Sequence, residues 1–197
     1  MRLVTISLLS ALFMISFSIH AIPSTQSALN QPASPVTKNL NASGLKNLSQ
    51  SPPIKIVIPA IKVSTTKFLK VGIDADGLME VPKTASTVAW FTGSPSPGEL
   101  GPSVIVGHVD MSGKPGVFFN LKLLKQGDPI TVTRADGNIV KFLVTKIASY
   151  PKIEFPTEEV YGDIDYAGLR IITCGGAFDK KSKHYLSNII VFAKMVA

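Results

Sequence analysis

From Ile54 onward, the chain is a succession of short segments rich in β-branched residues, separated by turn-forming residues. Such segments between clusters of Gly, Pro, Asn and Asp are typical of β-strands. The segments are Ile54–Ile58, Val104–Val106, Ile130–Thr133, Ile139–Ile147, Leu169–Cys174 and Ile189–Phe192. The residues Ala135-Asp136-Gly137-Asn138 between two of these segments predict a β-hairpin.

Helical patterns are rare in the same part of the chain. Only Phe118–Lys125 and Thr157–Ile164 are compatible with short helices. About seven short strands with few helices favour a sandwich or barrel over an alternating βαβ sheet. With 45% hydrophobic and 17% charged residues among 197, the chain can form one packed domain plus appendages. We therefore predict a single all-β domain over residues 54–197.

The first 53 residues have a different character. Residues 3–19 are uncharged and apolar and follow Arg2, which is the pattern of a signal peptide or an N-terminal membrane anchor. We assign residues 1–22 to this segment, and both readings place the rest of the chain outside the cytoplasmic membrane. Residues 23–53 are rich in Ser, Asn and Pro without apolar periodicity, which predicts a flexible linker.

Charge and cysteine content exclude several classes of function. The net charge of +7 is spread along the chain without a basic run or a reading module, so we expect no nucleic-acid partner. A single cysteine, Cys174, allows neither an intramolecular disulfide nor a Cys-rich zinc site. The three histidines stand in unrelated local sequences, so no metal site is predicted.

Two residues have the properties of a catalytic pair. Cys174 ends a predicted strand and is followed by two glycines, which leave its thiol open to a substrate. His108 also follows a predicted strand and a glycine. Since a free thiol is only slightly ionised at neutral pH, a neighbouring imidazole would raise its reactive fraction. The alternatives are a buried core cysteine and a structural histidine, and His184 is a weaker partner in a polar loop.

The residues around this pair resemble the sortases, the cysteine transpeptidases of Gram-positive cell surfaces. The paired signature is Gly107-His108-Val109-Asp110 and Ile172-Thr173-Cys174-Gly175-Gly176. Further matches are Ile58-Pro59-Ala60-Ile61, Gly72 to Gly77, Ala89-Trp90-Phe91 and Ser96 to Gly101. The segment Gly175 to Asp179, followed by Tyr185, Asn188 and Ile189 to Ala193, looks most like class F. The resemblance covers about residues 54–197.

This resemblance implies an all-β, eight-stranded sortase barrel with one or two short helices. His108 would be the general acid/base, Cys174 the nucleophile, and Thr173 a substrate-binding residue of the groove. The substrate would be a surface protein with a C-terminal sorting motif similar to LPxTG, transferred through a thioester to an amine of a cell-wall precursor or pilin. No metal or organic cofactor is implied, and the N-terminal segment would contact the membrane.

One departure concerns the arginine that the family has at the start of its last strand. Here that place is occupied by residues 186–188, Leu-Ser-Asn, and the domain's arginines are Arg134 and Arg170. Arg134 falls in a predicted hairpin turn. Arg170 precedes Cys174 by four residues of one strand, or roughly 13 Å of backbone. The third catalytic residue is therefore left unassigned.

Several alternatives stay open from the sequence. Asn188, His184 or a backbone amide could replace the arginine. The chain could also be an exported β-barrel binding module with a degenerate sortase site, or a cysteine peptidase or other hydrolase. An L,D-transpeptidase is less compatible, because its cysteine lies in a Ser-His-Gly-Cys context that this sequence lacks.

Overall fold

The computed structural model describes residues 48–197. The predicted signal peptide or anchor (1–22) and the predicted linker up to residue 47 lie outside the described residues. Within residues 48–197, no helix has the length and apolar character needed to cross a membrane.

The described part of the chain consists mainly of β-strands. Eleven strands are present: β1 (Pro53–Ile58), β2 (Val63–Thr65), β3 (Phe68–Val71), β4 (Val88–Phe91), β5 (Gly101–Gly107), β6 (Asp110–Met111), β7 (Lys114–Pro115), β8 (Pro129–Arg134), β9 (Ile139–Pro151), β10 (Ala167–Asp179) and β11 (His184–Val196). The helical elements are the α-helix α1 (Thr157–Tyr161) and 3₁₀ turns at Pro59–Ile61, Leu121–Leu123 and Lys152–Glu154. All six predicted strands are found, and both predicted helical segments contain short helical turns.

Nine of these strands form one sheet in the order β2-β1-β8-β9-β11-β10-β5-β4-β3, and β6 pairs with β7. Two neighbouring pairs, β5 with β10 and β3 with β4, are parallel, and the other pairs are antiparallel. The sheet curls into a nearly closed barrel, which confirms the predicted all-β barrel fold. It contains nine strands where the resemblance implied eight.

The predicted hairpin is present between β8 and β9. The backbone N–H of Arg134 donates to the carbonyl of Asn138, and Gly137 adopts a φ of +84°. This left-handed conformation favours glycine, which explains why the turn forms at this Asp-Gly sequence.

The central strands are buried on both faces. Ile105, Leu169 and Ile171 point into the barrel interior, which is the larger core. Their neighbours in the strand, such as Val106 and Ile172, point outward into a second core that includes Val160 of α1. Because side chains alternate along a strand, the β9–β10 connection thus covers the outer face of β5 and β10. This outer face is where the two strands carry His108 and Cys174.

The barrel also makes contacts with the last residues of the predicted linker. The guanidinium of Arg134 donates to the backbone carbonyl of Ser49. The backbone N–H of Ser51 donates to the Ser96 hydroxyl at 2.9 Å. The contacts of the barrel thus extend N-terminally beyond the predicted domain of residues 54–197.

Candidate active site

The parallel pairing of β5 and β10 brings His108 and Cys174 together. In the register of these strands, Val106 lies beside Ile172. His108 and Cys174 each follow two residues later, so both project from the same face as these neighbours. Paired strands run about 4.8 Å apart, and both side chains line one cavity. The pairing therefore places the two candidate catalytic residues at equivalent positions on adjacent strands. His108 directly follows β5, whereas Cys174 lies within β10, which continues to Asp179 beyond the predicted strand end.

A hydrogen bond joins β10 to the last residue of β5. The hydroxyl of Thr173 donates to the backbone carbonyl of Gly107 at 2.7 Å. These residues directly precede Cys174 and His108, and the Thr173 side chain is largely buried. Thr173 also lines the cavity, but its hydroxyl is already engaged by the protein. The bond fixes the relative position of the two candidate catalytic residues.

The imidazole of His108 is oriented by the segment between β3 and β4. Its Nε2 lies 2.5 Å from the backbone carbonyl oxygen of Pro82. A carbonyl only accepts hydrogen bonds, so Nε2 carries the proton and Nδ1 of the neutral ring is free to accept one. Within residues 48–197, no hydrogen bond joins this ring to the thiol of Cys174.

The thiol itself faces a lysine. The Lys152 ammonium lies with its Nζ 3.7 Å from Sγ of Cys174 and donates to it. Cys174 is half-buried, and Lys152 is exposed at the start of the 3₁₀ turn that follows β9. The candidate nucleophile thus has a positively charged neighbour that the sequence did not indicate.

The cavity around these residues has a volume of about 640 Å³. Its apolar walls come from strands β5 and β10, from the β3–β4 segment and from the β9–β10 connection; they include Leu78, Met79, Val81, Val106, Phe155 and Ile172. A volume of this size is typical of small-molecule or peptide sites. The cavity thus provides an apolar binding surface beside the thiol.

A second polar pair lies in the cavity wall. The hydroxyl of Tyr185 donates to the Asp110 carboxylate at 2.5 Å. The Phe178 ring packs edge-on against the Tyr185 ring, with 5.1 Å between the ring centroids. The hydrogen bond to the carboxylate raises the pKa of Tyr185 above its ordinary value. Tyr185 therefore stays a neutral hydrogen-bond donor at physiological pH.

Neither arginine of the barrel lines this cavity. Arg134 is fully buried and bonds to Asp136 and to the backbone of Pro97. Arg170 is also buried, donates to the backbone carbonyl of Glu159 at 3.4 Å and stacks on Phe192 at 4.8 Å. Both guanidinium groups thus have structural partners away from the thiol.

The two side chains considered as substitutes for an arginine both belong to the cavity wall. Asn188 and His184 both line the cavity, and Asn188 is the cross-strand neighbour of Cys174. Leu186, another residue of the 186–188 segment, is half exposed and does not line it. Within residues 48–197, no group of three or more His, Cys, Asp or Glu side chains is arranged to hold a metal ion.

Sequence reasoning missed Lys152 and Pro82. Lys152 precedes Cys174 by 22 positions, and Pro82 precedes His108 by 26. Neither belongs to a motif with a catalytic pattern. Their roles depend on which strands are neighbours in the sheet, and the sequence spacing carries no signal of that.

Comparison with known proteins defines the family. The sequence profile of the sortase domain matches residues 56–196. The chain therefore belongs to the sortase family. Comparison with curated protein sequences finds no significant match.

Solved structures of sortases have a similar fold. The chain is similar to the sortase D5 transpeptidase of Clostridium perfringens (24% identity over 75% of this chain and 79% of that one, TM-score 0.55). It is also similar to sortase A of Corynebacterium diphtheriae (23%, 76% and 63%, TM-score 0.55) and to sortase C-1 of Actinomyces oris (24%, 73% and 73%, TM-score 0.54). These structures belong to classes A, C and D, and at this identity they support the fold.

Proposed function

We propose that this chain is a cysteine transpeptidase that cleaves a sorting motif similar to LPxTG and transfers the surface protein to an amine. The observation that carries the proposal is the placement of Cys174 and His108. They follow the paired ends of two adjacent parallel strands and line one cavity of a sortase barrel. Cys174 is the nucleophile, His108 the general acid/base, and Thr173 contributes to the groove.

The reaction proceeds in two half-reactions. The Cys174 thiolate adds to the carbonyl carbon of the Thr–Gly bond, and the carbonyl oxygen takes up the displaced electron pair. When the carbonyl re-forms, the C–N bond breaks, and protonated His108 gives its proton to the departing amine. The thioester is then attacked by the acceptor amine, which loses a proton to His108, and the sulfur leaves as a thiolate.

The partners follow from the same assignment. The donors are surface proteins with a C-terminal sorting motif, and the acceptor is an amine of a cell-wall precursor or a pilin. The segment 1–22 places the enzyme outside the cytoplasmic membrane, either anchored in it or released. The motifs around Gly175 to Asp179 support an assignment to class F.

The proposal is tested by trapping the thioester. The purified chain is incubated with a pool of LPxTG peptides varied at the third position, with and without triglycine as the acceptor amine, and analysed by mass spectrometry. We expect an acyl adduct on Cys174 and a triglycine-ligated product. Both should be absent in Cys174→Ala, and His108→Gln should reduce both by at least about a hundredfold.

Other outcomes would contradict the assignment. Hydrolysis without ligation of any amine would identify a cysteine peptidase. A folded wild-type protein that forms no adduct, and whose thiol alkylates equally well in His108→Gln, would identify a binding module. Circular dichroism of each variant checks that the fold is intact.

A further inference from the structure

The polar partner of the candidate nucleophile is a lysine. Among residues 48–197, the hydrogen bond made by Sγ of Cys174 comes from Nζ of Lys152, at 3.7 Å. A lysine ammonium is only a donor, so the sulfur is the acceptor. The contact therefore places a positive charge directly beside the sulfur.

The backbone, and not only a flexible side chain, brings Lys152 to this place. Cys174 is paired with Asn188 of β11, and Asn188 is paired on its other side with Tyr150 of β9. Pro151 ends β9 with a φ of −53° and starts the 3₁₀ turn that begins at Lys152. The end of β9 is thus only two strands away from the nucleophile, and the turn directs the next residue toward it.

Neither the two arginines nor the other basic residues of the cavity make this contact. Arg134 and Arg170 are buried with structural partners. Lys183 and His184 line the cavity, but neither hydrogen-bonds to the sulfur. The segment 186–188, where the resemblance led us to expect an arginine, contains no cation. Lys152 is therefore the cation placed to act on the reacting atoms.

We propose that Lys152 is a catalytic residue that supplies the positive charge of this site, first to the thiolate and then to the oxyanion. The second role rests on the proposed transpeptidase function. When the thiolate adds to the carbonyl carbon, the negative charge moves from sulfur to an oxygen two bonds away. The ammonium on its flexible stem follows that charge, and the charge returns to sulfur when the thioester later breaks. Lys152 keeps its proton throughout, while His108 carries the proton transfers.

The ionisation of the thiol depends on all charged and titratable groups of the cavity. These are His108, Asp110, Lys152, Tyr161, Lys183, His184 and Tyr185. Lys183 offers a matched control, because it lines the same cavity without touching the sulfur. Glutamine replaces lysine at both positions, because it keeps a similar side-chain length. At Lys183, whose φ is +58°, glutamine adds no backbone strain beyond that of the lysine.

The experiment measures alkylation of Cys174 by iodoacetamide between about pH 5 and pH 9 in the full chain. Lys152→Gln should slow alkylation about fivefold at neutral pH, a modest factor because the exposed pair interacts through solvent. Lys183→Gln should change the rate by less than about twofold. Lys152→Arg should restore the wild-type profile to within about twofold.

A second measurement follows acylation by the LPxTG peptide pool in a single turnover at a pH where the thiol is fully ionised. There Lys152→Gln should still acylate at least tenfold more slowly, because the oxyanion has lost its cation. The inference is overturned if Lys152→Gln alkylates and acylates like the wild type, or if Lys183→Gln has an equal effect. If none of the peptides forms an acyl adduct with the wild type, the proposed function fails. The alkylation profiles then still decide whether Lys152 stabilises the thiolate.

Discussion

Thr173 is expected to be a positioning residue as well as a part of the groove. Its hydroxyl donates to the Gly107 carbonyl at 2.7 Å and is nearly inaccessible to solvent. Thr173→Val keeps the shape of the side chain and removes only this donor. The hydrogen bond between the strands that lead to Cys174 and His108 is then lost.

The size of the effect follows from burial. Gly107 is half-buried, and a partly buried carbonyl that loses its hydrogen-bond donor destabilises a protein by about 1–2 kcal/mol. For a domain of this size, a loss of about 2 kcal/mol lowers Tm by roughly 6 °C. Because small misplacements of reacting groups cost up to about a hundredfold in rate, we expect kcat to fall about tenfold. KM should change by less than about twofold, since the hydroxyl is not free to bind substrate.

The assay combines thermal unfolding with steady-state kinetics on an LPxTG peptide that the wild type cleaves. Thr145→Val is the matched control, because the Thr145 hydroxyl donates to the Phe192 carbonyl at 3.1 Å across the sheet, outside the residues that line the cavity. This control should lower Tm slightly and leave kcat unchanged. Thr173→Ser should restore kcat, because it keeps the donor.

The positioning role is refuted if the kinetic constants kcat and KM of the variants change in other ways. A rise in KM with an unchanged kcat in Thr173→Val would show that the hydroxyl contacts substrate and does not position the pair. An equal loss of kcat in Thr145→Val would show that any loosening of the sheet slows the reaction. Either result would remove the positioning role.

Three further predictions concern stability. Arg134→Met should lower the free energy of unfolding by about 3 kcal/mol, measured by urea denaturation, because it removes a buried charge and leaves its partners, including the Ser49 carbonyl and Asp136, without a donor. Arg134 holds the pKa of Asp136 well below its ordinary value, so this pair stabilises the fold above about pH 4 and is lost as the pH falls further. In Asp136→Asn, Tm should therefore fall less steeply with decreasing pH than in the wild type. An equally steep fall would contradict the stabilising role of the Arg134–Asp136 pair. A chain of residues 48–197 should unfold at a temperature at least about 5 °C above that of residues 54–197, because only the longer chain keeps the acceptor at Ser49; equal temperatures would show that the linker contributes nothing.

The local sequence was sufficient to predict the strands and to identify the family. The alternation of β-branched residues and the Asp-Gly turn depend on neighbours in the chain, so the β8–β9 hairpin could be predicted. The motifs around His108 and Cys174 identified the sortase family, which the domain match over residues 56–196 confirms. The roles of the two residues stay a proposal, although the parallel register of β5 and β10 brings them to one cavity.

The tertiary structure alone decided the environment of these residues. Arg134 lies next to a hairpin turn, where a charged residue is expected to be exposed. It is nevertheless fully buried, because the distant segments around Ser49 and Pro97 pack against its guanidinium. Lys152 carries no motif and reaches Cys174 only because β9, β11 and β10 are neighbours. The physical reason is the range of the interactions. Backbone conformation and apolar periodicity are set within a few residues, whereas the charge beside a nucleophile is set by which distant strands pair.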